Sequence, residues 1–217
     1  MTHLDLFSGI GSFALAARWA GLDTVGFCET DTFCRRVLAK HCPDVPLHDD
    51  VRTIDGNKYR GIELLTGGFP CQPFSEIGER QGAEDDRHLW PAMLRVIASA
   101  RPAWVLAENV PGLIGMALDL VLTDLEAEGY AARTLVLPAC AVGANHIRDR
   151  VWIVANTSGQ PLRVSRQSRQ DAHSWDAEPG VARVANGIPD GLDRNKALGN
   201  AIVPQVAFEL LRTMLAT

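Results

Sequence analysis

The chain has 217 residues, of which 47% are hydrophobic and 22% are charged, and its formal net charge is −5. A chain of this length buries about 70% of the surface that it exposes when unfolded, so its fold requires neither a disulfide nor a metal. A miniature disulfide scaffold is therefore excluded. No apolar run approaches the roughly 20 residues of a transmembrane helix. The acidic total argues against an obligate nucleic-acid coat protein.

The cysteines and the N-terminus indicate a cytoplasmic protein. The five cysteines are odd in number and none forms a C-x-x-C pair, which favours a reducing compartment and argues against a zinc site. Residues 1–5 (MTHLD) meet an acid before any basic region, so no secretory signal is expected. We therefore expect a cytoplasmic monomer with no membrane contact and no metal.

In chain order, the predicted elements alternate between strands and helices. Strands are predicted over residues 3–7, 24–28, 62–66, 104–107, 133–137 and 150–155, and helices over residues 13–20, 89–99, 117–128 and 202–215. This alternation predicts an α/β fold with a mostly parallel sheet flanked by helices. Residues 156–175 are rich in Ser, Gln and Arg with little apolar periodicity, so an irregular segment is predicted there.

A glycine-rich turn follows the first predicted strand. Residues 9–14 read GIGSFA, in which the glycines permit a tight turn and the next helix offers free N–H groups. Glu29 ends the second predicted strand, where it could accept hydrogen bonds from a ribose diol. The pattern fits NAD and S-adenosylmethionine alike, although the aromatic Phe7 before the turn disfavours NAD. A turn required only for packing is the alternative.

One cysteine follows the third predicted strand in a rigid loop. Residues 67–75 read GGFPCQPFS, so two glycines and two prolines fix the backbone around Cys71. In a parallel sheet, ligands bind at the loops after the carboxyl ends of the strands. A thiolate at this position could act as a nucleophile, and the alternative is a small buried hydrophobe. The other cysteines lack such surroundings and are assigned to packing.

An acid and two arginines are expected at the same edge of the sheet. Glu108 ends an apolar strand, where desolvation would raise its pKa and make it a candidate proton donor. A helix cap or an ion pair is the alternative for this carboxylate. Arg148 and Arg150 open another predicted strand, and alternate residues of a strand point to one side. Both guanidinium groups could therefore pair with Glu108, a phosphate or a carbonyl.

One segment of the chain is basic although the chain as a whole is acidic. Residues 133–169 contain six arginines and one acid, against the net −5 of the whole chain. A phosphate-binding strip and a solvated basic face explain this segment equally well.

Five segments, taken in chain order, resemble the motifs of the DNA (cytosine-5)-methyltransferase family. They are DLFSGIG (5–11), GGFPCQ (67–72), ENV (108–110), RDR (148–150) and GNAIVP (199–204). Each is weak alone, whereas five in the family's order are specific. The resemblance implies a Rossmann-like S-adenosylmethionine-dependent methyltransferase fold in a compact, phage- or prophage-like form. It implies a catalytic and cofactor-binding domain over 1–155, a reduced target-recognition loop over 156–178, and a C-terminal motif and helix over 179–217.

The chemistry implied by this resemblance is methylation of cytosine at carbon 5 in double-stranded DNA. Cys71 would attack carbon 6 of a cytosine flipped out of the duplex, where its atoms become reachable. Glu108 would bond or protonate ring nitrogen 3. Arg150 would hold the cytosine carbonyl and orient Glu108, with Arg148 beside it. Carbon 5 would take the methyl group of S-adenosylmethionine, and loss of its proton would release the enzyme.

The resemblance also assigns residues to the cofactor and to DNA. The cofactor residues are Phe7, Ser8, Gly9, Ile10, Gly11, Glu29, Thr30, Asp50, Val51, Pro70, Asn200 and Ala201. The DNA-contacting residues are Gln72, Ser75, Arg87, Arg163, Arg166 and Arg169.

Two departures from the family pattern stand out. His146 occupies the position of a glutamine in the arginine motif, and the recognition interval 156–178 is far shorter than is typical of the family. A short interval predicts a short or relaxed target sequence, or a partner protein that supplies recognition. The alternatives are a non-catalytic DNA-binding remnant of the family and an NAD-dependent oxidoreductase, which leaves Cys71 and Glu108 unexplained. A restriction system, a phage and a solitary enzyme remain open as contexts.

Overall fold

The structure is a computed structural model that describes residues 1–70, 89–157 and 191–216. Within these ranges seven strands form one sheet in the order β3-β2-β1-β4-β5-β7-β6. The strands are β1 (Thr2–Leu6), β2 (Asp23–Cys28), β3 (Leu47–His48), β4 (Leu64–Gly67), β5 (Trp104–Asn109), β6 (Ala131–Pro138) and β7 (Asp149–Asn156). All neighbouring pairs are parallel except those that β7 makes with β5 and β6. The predicted mostly parallel sheet is confirmed.

Helices cover both faces of this sheet. They are α1 (Ser12–Trp19), α2 (Thr32–His41), α3 (Trp90–Ala100), α4 (Leu113–Met116), α5 (Leu118–Ala127), α6 (Gly191–Asn200) and α7 (Pro204–Leu215). Short 3-10 turns cover Val51–Thr53, Gly56–Tyr59 and Ala139–Val142. The predicted helices 13–20, 89–99, 117–128 and 202–215 correspond to α1, α3, α5 and α7. In the described part, α2, β3, α4 and α6 are elements that the sequence analysis did not predict.

The alternation of side chains along the strands builds two cores. On one face, Leu4 and Leu6 pack with residues of α3 and α5 in a large apolar cluster. On the other face, Leu64 and Trp152 pack with α1 and α7. The same face carries the polar strand residues His3 and Asp5, both fully buried. Buried polar residues on a central strand require hydrogen-bond partners, which the neighbouring strands supply.

The C-terminal helix α7 packs against α1. Trp19 of α1 meets Phe208 of α7 edge to face, with ring centroids 6.0 Å apart. Val206, Ala207 and Leu211 complete the contact and are buried. The segment after the interval 158–190 therefore returns to the sheet domain. No helix in the described ranges is long and apolar enough to cross a membrane.

Candidate functional site

The carboxyl ends of β1, β2, β4 and β5 meet at one edge of the sheet, where the turn after each strand can contribute a residue. The start of β7 lies at the same edge because β7 runs antiparallel to β5. The register pairs Glu108 with Trp152 and Asn109 with Val151. Arg150, which precedes these partners, is thereby brought to the end of β5. The reversed strand explains how an arginine from late in the chain reaches an acid from the middle.

Glu108 and Arg150 form an ion pair at this edge. The Arg150 Nε lies 2.9 Å from the Glu108 Oε1, and the side chains are 21% and 10% exposed, respectively. Burial raises the pKa of Glu108, while the charges of Arg150 and then Arg148 partly oppose that rise. The expected rise in pKa is thus confirmed in direction, and the ion pair that stood as its alternative is present too. A mostly buried carboxyl beside one cation can hold or release a proton near a bound base.

Arg148 does not share this ion pair. Its guanidinium donates to the backbone carbonyls of Gly199 and Ala201 at 2.8 and 2.9 Å. The residue precedes β7, which begins at Asp149, so the strand alternation that predicted parallel directions for Arg148 and Arg150 does not apply. Desolvation, with the nearby charge of Arg150, lowers the pKa of Arg148. Arg148 therefore fastens the segment 199–201 to the edge that carries Glu108.

The segment that leads into Cys71 is held beside Glu108. The Asn109 side chain donates from Nδ2 to the carbonyl of Phe69 at 2.9 Å. A Cβ atom added to Gly68 would lie 3.3 Å from the Glu108 Oε2, which is a tight contact. The chain thus passes close to the carboxyl before it reaches Cys71. Sequence reasoning did not select Asn109 as a site residue, although it follows Glu108 directly.

The glycine turn has the backbone that its sequence predicts. Gly9 and Gly11 have φ angles of 54° and 88°, and Phe7 has a φ of 55°, in the region that disfavours residues with a side chain. Ser8 is buried and its hydroxyl donates to the Asp5 carbonyl at 2.7 Å. Gly11 caps α1 without a side-chain hydrogen bond. A strained Phe7 before a glycine turn is the kind of geometry that functional sites retain.

Glu29 braces this turn from the end of β2. Its two carboxylate oxygens each accept a backbone N–H, one from Gly9 and one from Asp31, both at 2.7 Å. The carboxylate therefore has a structural task in addition to the ribose contact that was predicted for it. A carboxylate oxygen has two lone pairs, so an additional donor can still bind.

The remaining predicted cofactor residues in the described ranges lie around the same edge. The Asp50 carboxylate pairs with Arg52 at 2.9 Å, and Val51 is buried in the core. Ile10 borders an apolar cleft of about 410 Å³ between α2 and α6. Asn200 is exposed, and the carbonyl of Ala201 accepts the bond from Arg148. No contact identifies a role for Thr30 or Pro70.

Several predicted site residues lie outside the described residues. They are Cys71, Gln72, Ser75, Arg87, Arg163, Arg166 and Arg169. The described cysteines differ among themselves. Cys28 and Cys34 are buried, with pKa values raised to about 12 mainly by desolvation, as packing residues should be. Cys140 is exposed, so its assignment to packing is wrong. No group of His, Cys, Asp and Glu in the described part could hold a metal ion.

A buried hydrogen-bond chain beneath the glycine turn was missed by sequence reasoning. The His3 Nδ1 lies 2.9 Å from the Thr24 hydroxyl, and its Nε2 lies 2.7 Å from the Thr66 hydroxyl. Thr66 in turn donates to the Asp5 Oδ1 at 2.8 Å. The alternation of His3 and Asp5 with leucines was the available signal, because it predicts polar residues on one face of a central strand.

Most of the chain is similar to known DNA methylases. Residues 1–195 match the family described as C-5 cytosine-specific DNA methylase. Among curated proteins, the type II methyltransferase M.NgoMIV of Neisseria gonorrhoeae is 33% identical over 200 residues, covering 80% of this chain and 64% of that protein. M2.BsuMI of Bacillus subtilis is 30% identical over 195 residues, covering 86% of this chain and 50% of that protein. The chain thus spans about half to two thirds of the length of these relatives.

Solved structures show the same fold. A putative DNA modification methyltransferase encoded within an Escherichia coli prophage superposes with a TM-score of 0.64 at 26% identity, covering 76% of this chain and 49% of that one. The Dnmt2 methyltransferase of S. pombe superposes with a TM-score of 0.66 at 22% identity, covering 79% of this chain and 57% of that one. The predicted Rossmann-like methyltransferase fold is therefore confirmed.

Proposed function

The chain belongs to the family of C-5 cytosine-specific DNA methylases, and on this premise we propose that it methylates carbon 5 of cytosine in double-stranded DNA with S-adenosylmethionine as methyl donor. The observation that carries the proposal is the Glu108–Arg150 pair beside the segment that leads into Cys71. A buried acid and a cation beside the segment that precedes a cysteine in the sequence support this proposal, because addition of a thiol to a pyrimidine ring requires these groups.

In the proposed reaction, each residue has one task. The Cys71 thiolate adds to carbon 6 of the flipped cytosine, while Glu108 bonds or protonates ring nitrogen 3, so that carbon 5 becomes nucleophilic. Arg150 donates to the cytosine carbonyl and holds Glu108 in position. After methylation, a base removes the proton from carbon 5, Cys71 leaves carbon 6 as the thiolate, and a proton gained by ring nitrogen 3 returns to Glu108, which restores the aromatic ring. The raised pKa of Glu108 supports its role, since burial favours the protonated carboxyl that can donate to ring nitrogen 3.

The glycine turn fits the cofactor. S-adenosylmethionine supplies an electrophilic methyl group on its sulfonium. A Cβ atom on Gly9 would meet nothing within 4 Å, so this position leaves room for a nucleoside, whereas a Cβ atom on Gly11 would lie 3.0 Å from the Leu38 side chain and Gly11 is required for packing. Helix α1 begins directly after this turn, and the first turn of a helix offers free N–H groups. Glu29 lies at the end of the neighbouring strand, where its remaining lone pairs can accept ribose hydroxyls. Phe7 offers an aromatic surface for the adenine.

DNA contact is assigned to residues outside the described part, so it depends on the sequence pattern. Gln72, Ser75 and Arg87 follow or flank the nucleophile, and the arginines of 156–178 can neutralise phosphates. Because the interval 156–178 is short for the family that the motifs resemble, we propose that a partner protein or a short target sequence compensates for the reduced recognition interval. The relatives named as type II methyltransferases favour a restriction-modification context for this chain as well.

A covalent trap tests the catalytic step. The full chain is incubated with S-adenosylmethionine and long duplexes of mixed sequence in which 5-fluorocytosine replaces cytosine. Fluorine at carbon 5 cannot leave as a cation, so the bond between Cys71 and carbon 6 persists and survives denaturation. We expect wild type to form the adduct and Cys71→Ser to form none. Cys140→Ser is the matched control, because Cys140 is an exposed thiol in the described part and should not affect the adduct.

Folded wild-type protein that forms no adduct on any duplex would contradict the catalytic proposal and would favour a non-catalytic DNA-binding remnant. An adduct that persists in Cys71→Ser would contradict the choice of nucleophile. Quenching of NADH fluorescence, by contrast, would support the oxidoreductase alternative, which explains only the glycine turn and Glu29.

A further inference from the structure

The hydrogen-bond chain of Thr24, His3, Thr66 and Asp5 runs across the three central strands β2, β1 and β4, and all of its bonds point in one direction. The Thr66 hydroxyl has a single proton and donates it to Asp5, so its oxygen accepts from the His3 Nε2. His3 must then carry its proton on Nε2, which leaves Nδ1 to accept from the Thr24 hydroxyl. Each group in the hydrogen-bond chain is therefore fixed as a donor or an acceptor by its neighbour.

This hydrogen-bond chain links β1 to β4, the strands that lead to the glycine turn and to the segment before Cys71. Asp5 lies on β1, which runs into the glycine turn, and Thr66 lies on β4, which runs into the segment before Cys71. The turn is also fastened to Asp5, because the Ser8 hydroxyl donates to the Asp5 carbonyl. A shift of either strand would therefore break a bond that is fully buried.

The surroundings of Asp5 favour a neutral carboxyl. The side chain is fully buried, and its Oδ2 has no hydrogen-bond partner among the described residues. Burial raises the pKa of Asp5 to about 7, and the negative charge of Glu29 adds to that rise, while Thr66, the amide of Ala14 and Ser8 oppose it. Burial also lowers the pKa of His3 to about 3, so His3 brings no compensating charge. An unpartnered oxygen costs less on a neutral carboxyl than on a charged one.

We propose that Thr66 and Asp5 are positioning residues, whose buried hydrogen bond holds the glycine turn in the geometry that binds the cofactor. The inference rests on the proposed function, because it takes S-adenosylmethionine as the ligand of the turn. Neither residue touches the reacting atoms; both act through the backbone of residues 7–11. The family resemblance assigned no role to either side chain, and the structure supplies the argument for both.

Calorimetric binding of S-adenosylmethionine to the full chain tests the positioning role. Thr66→Val keeps the shape of the side chain and removes the hydroxyl, so it removes the partner of the His3 Nε2 and of the Asp5 Oδ1. We expect the Kd to rise roughly tenfold, while Thr66→Ser retains the hydroxyl and binds within about twofold of wild type. Leu64→Ala is the control for loss of core packing, because Leu64 is fully buried on the same face of β4 but takes no part in the hydrogen-bond chain. Unchanged binding by Thr66→Val, or an equal loss in Leu64→Ala, would overturn the proposal.

A second readout does not depend on the cofactor. Carbon-13 spectra of aspartate-labelled protein follow each carboxyl as the pH is raised. One aspartate should titrate near pH 7 in wild type and be absent in Asp5→Asn. Its midpoint should move to higher pH in Thr66→Val, since the bond from Thr66 lowers the pKa of Asp5. A wild-type midpoint near pH 4, or an unchanged midpoint in Thr66→Val, would refute the hydrogen bond between Thr66 and Asp5. Failure of wild type to bind S-adenosylmethionine would instead refute the proposed function.

Discussion

Two buried carboxyls on one face of the sheet differ in the groups that surround them. Glu108 is the penultimate residue of β5, is mostly buried and has the Arg150 guanidinium at 2.9 Å, whereas Asp5 on β1 is fully buried and accepts a hydroxyl bond from Thr66. Burial raises the pKa of both. A cation at the edge keeps Glu108 available for proton exchange, while Asp5 beneath the turn serves as a neutral hydrogen-bond partner. The same residue class thus performs chemistry or fixes geometry according to its neighbours.

The largest effect should come from removing the acid at the edge. Glu108→Gln keeps the size of the side chain and loses the exchangeable proton, so methyl transfer should fall on the order of 10²–10⁴-fold. The protein should remain folded, since glutamine still accepts from Arg150. The measurement is the initial rate of tritium transfer from labelled S-adenosylmethionine to DNA. Glu128→Gln, at an exposed pair with Arg101, is the control and should keep its rate. A rate within tenfold of wild type in Glu108→Gln would remove Glu108 from the mechanism.

The cation of the pair should set the pH range of activity. Arg150→Gln removes the charge that opposes the rise in the pKa of Glu108, so this pKa should rise further. A rate that needs protonated Glu108 falls as the pH rises through that pKa, and this alkaline limb should therefore move to higher pH. The rate itself should drop about 10- to 100-fold because a charged hydrogen bond is lost. Arg150→Lys retains the charge and should leave the limb close to wild type. An unmoved limb in Arg150→Gln would mean that the limb belongs to another group.

The other carboxyl should appear in the pH dependence of stability. Between about pH 4 and 6.5, folded Asp5 holds a proton that the unfolded chain has lost, so its contribution to the free energy of unfolding falls as the pH rises. Folded His3, with a pKa of about 3, lacks a proton that the unfolded chain binds, so its contribution rises with pH. The two slopes oppose each other in wild type.

Single substitutions should expose these opposing slopes. Relative to wild type, the free energy of unfolding of Asp5→Asn should increase with pH, and that of His3→Asn should decrease, each by about 1.4 kcal/mol per pH unit. Urea unfolding of the three proteins from pH 4.5 to 6.5 measures both differences. Parallel curves for all three would show that neither group has a shifted pKa.

The smallest effect should come from crowding Glu108 without changing its charge. A methyl group at position 68 would lie 3.3 Å from the Glu108 Oε2, so Gly68→Ala should displace the carboxyl by a few tenths of an ångström. A misplacement of about 1 Å can cost 10²-fold, so we expect a loss of roughly three- to tenfold in rate. Gly115→Ala, where a Cβ meets nothing within 4 Å, is the matched control. Equal rates for the two variants would show that a methyl group at residue 68 does not disturb the Glu108 carboxyl.

The sequence predicted those features that depend on local periodicity and turn chemistry. The glycine turn at residues 9–14 and the rise in the pKa of Glu108 followed from the residues themselves. Helix α2 was missed because cysteines and arginines obscure its apolar face, although Asp31 caps it by accepting from the N–H groups of Phe33 and Cys34. The N-cap aspartate was a readable signal.

Features that depend on which strands are neighbours could not be predicted. The antiparallel direction of β7 brings Arg150 to Glu108, and alternation along one strand carries no information about direction. Arg148 reaches the carbonyls of residues 199 and 201, which are about fifty positions away in the chain. The bond between Thr66 and Asp5 depends in the same way on the register of β1 against β4.

The central claim is the identity of the product, and nucleoside mass spectrometry tests it most directly. Duplex DNA of mixed sequence is incubated with the full chain and S-adenosylmethionine that carries a trideuterated methyl group, and is then digested to nucleosides. We expect 5-methyldeoxycytidine that contains three deuterium atoms in the wild-type reaction and none in that of Cys71→Ser. Label on an exocyclic nitrogen of cytosine or adenine, or unlabelled DNA from wild-type protein that binds the cofactor, would contradict methylation at carbon 5.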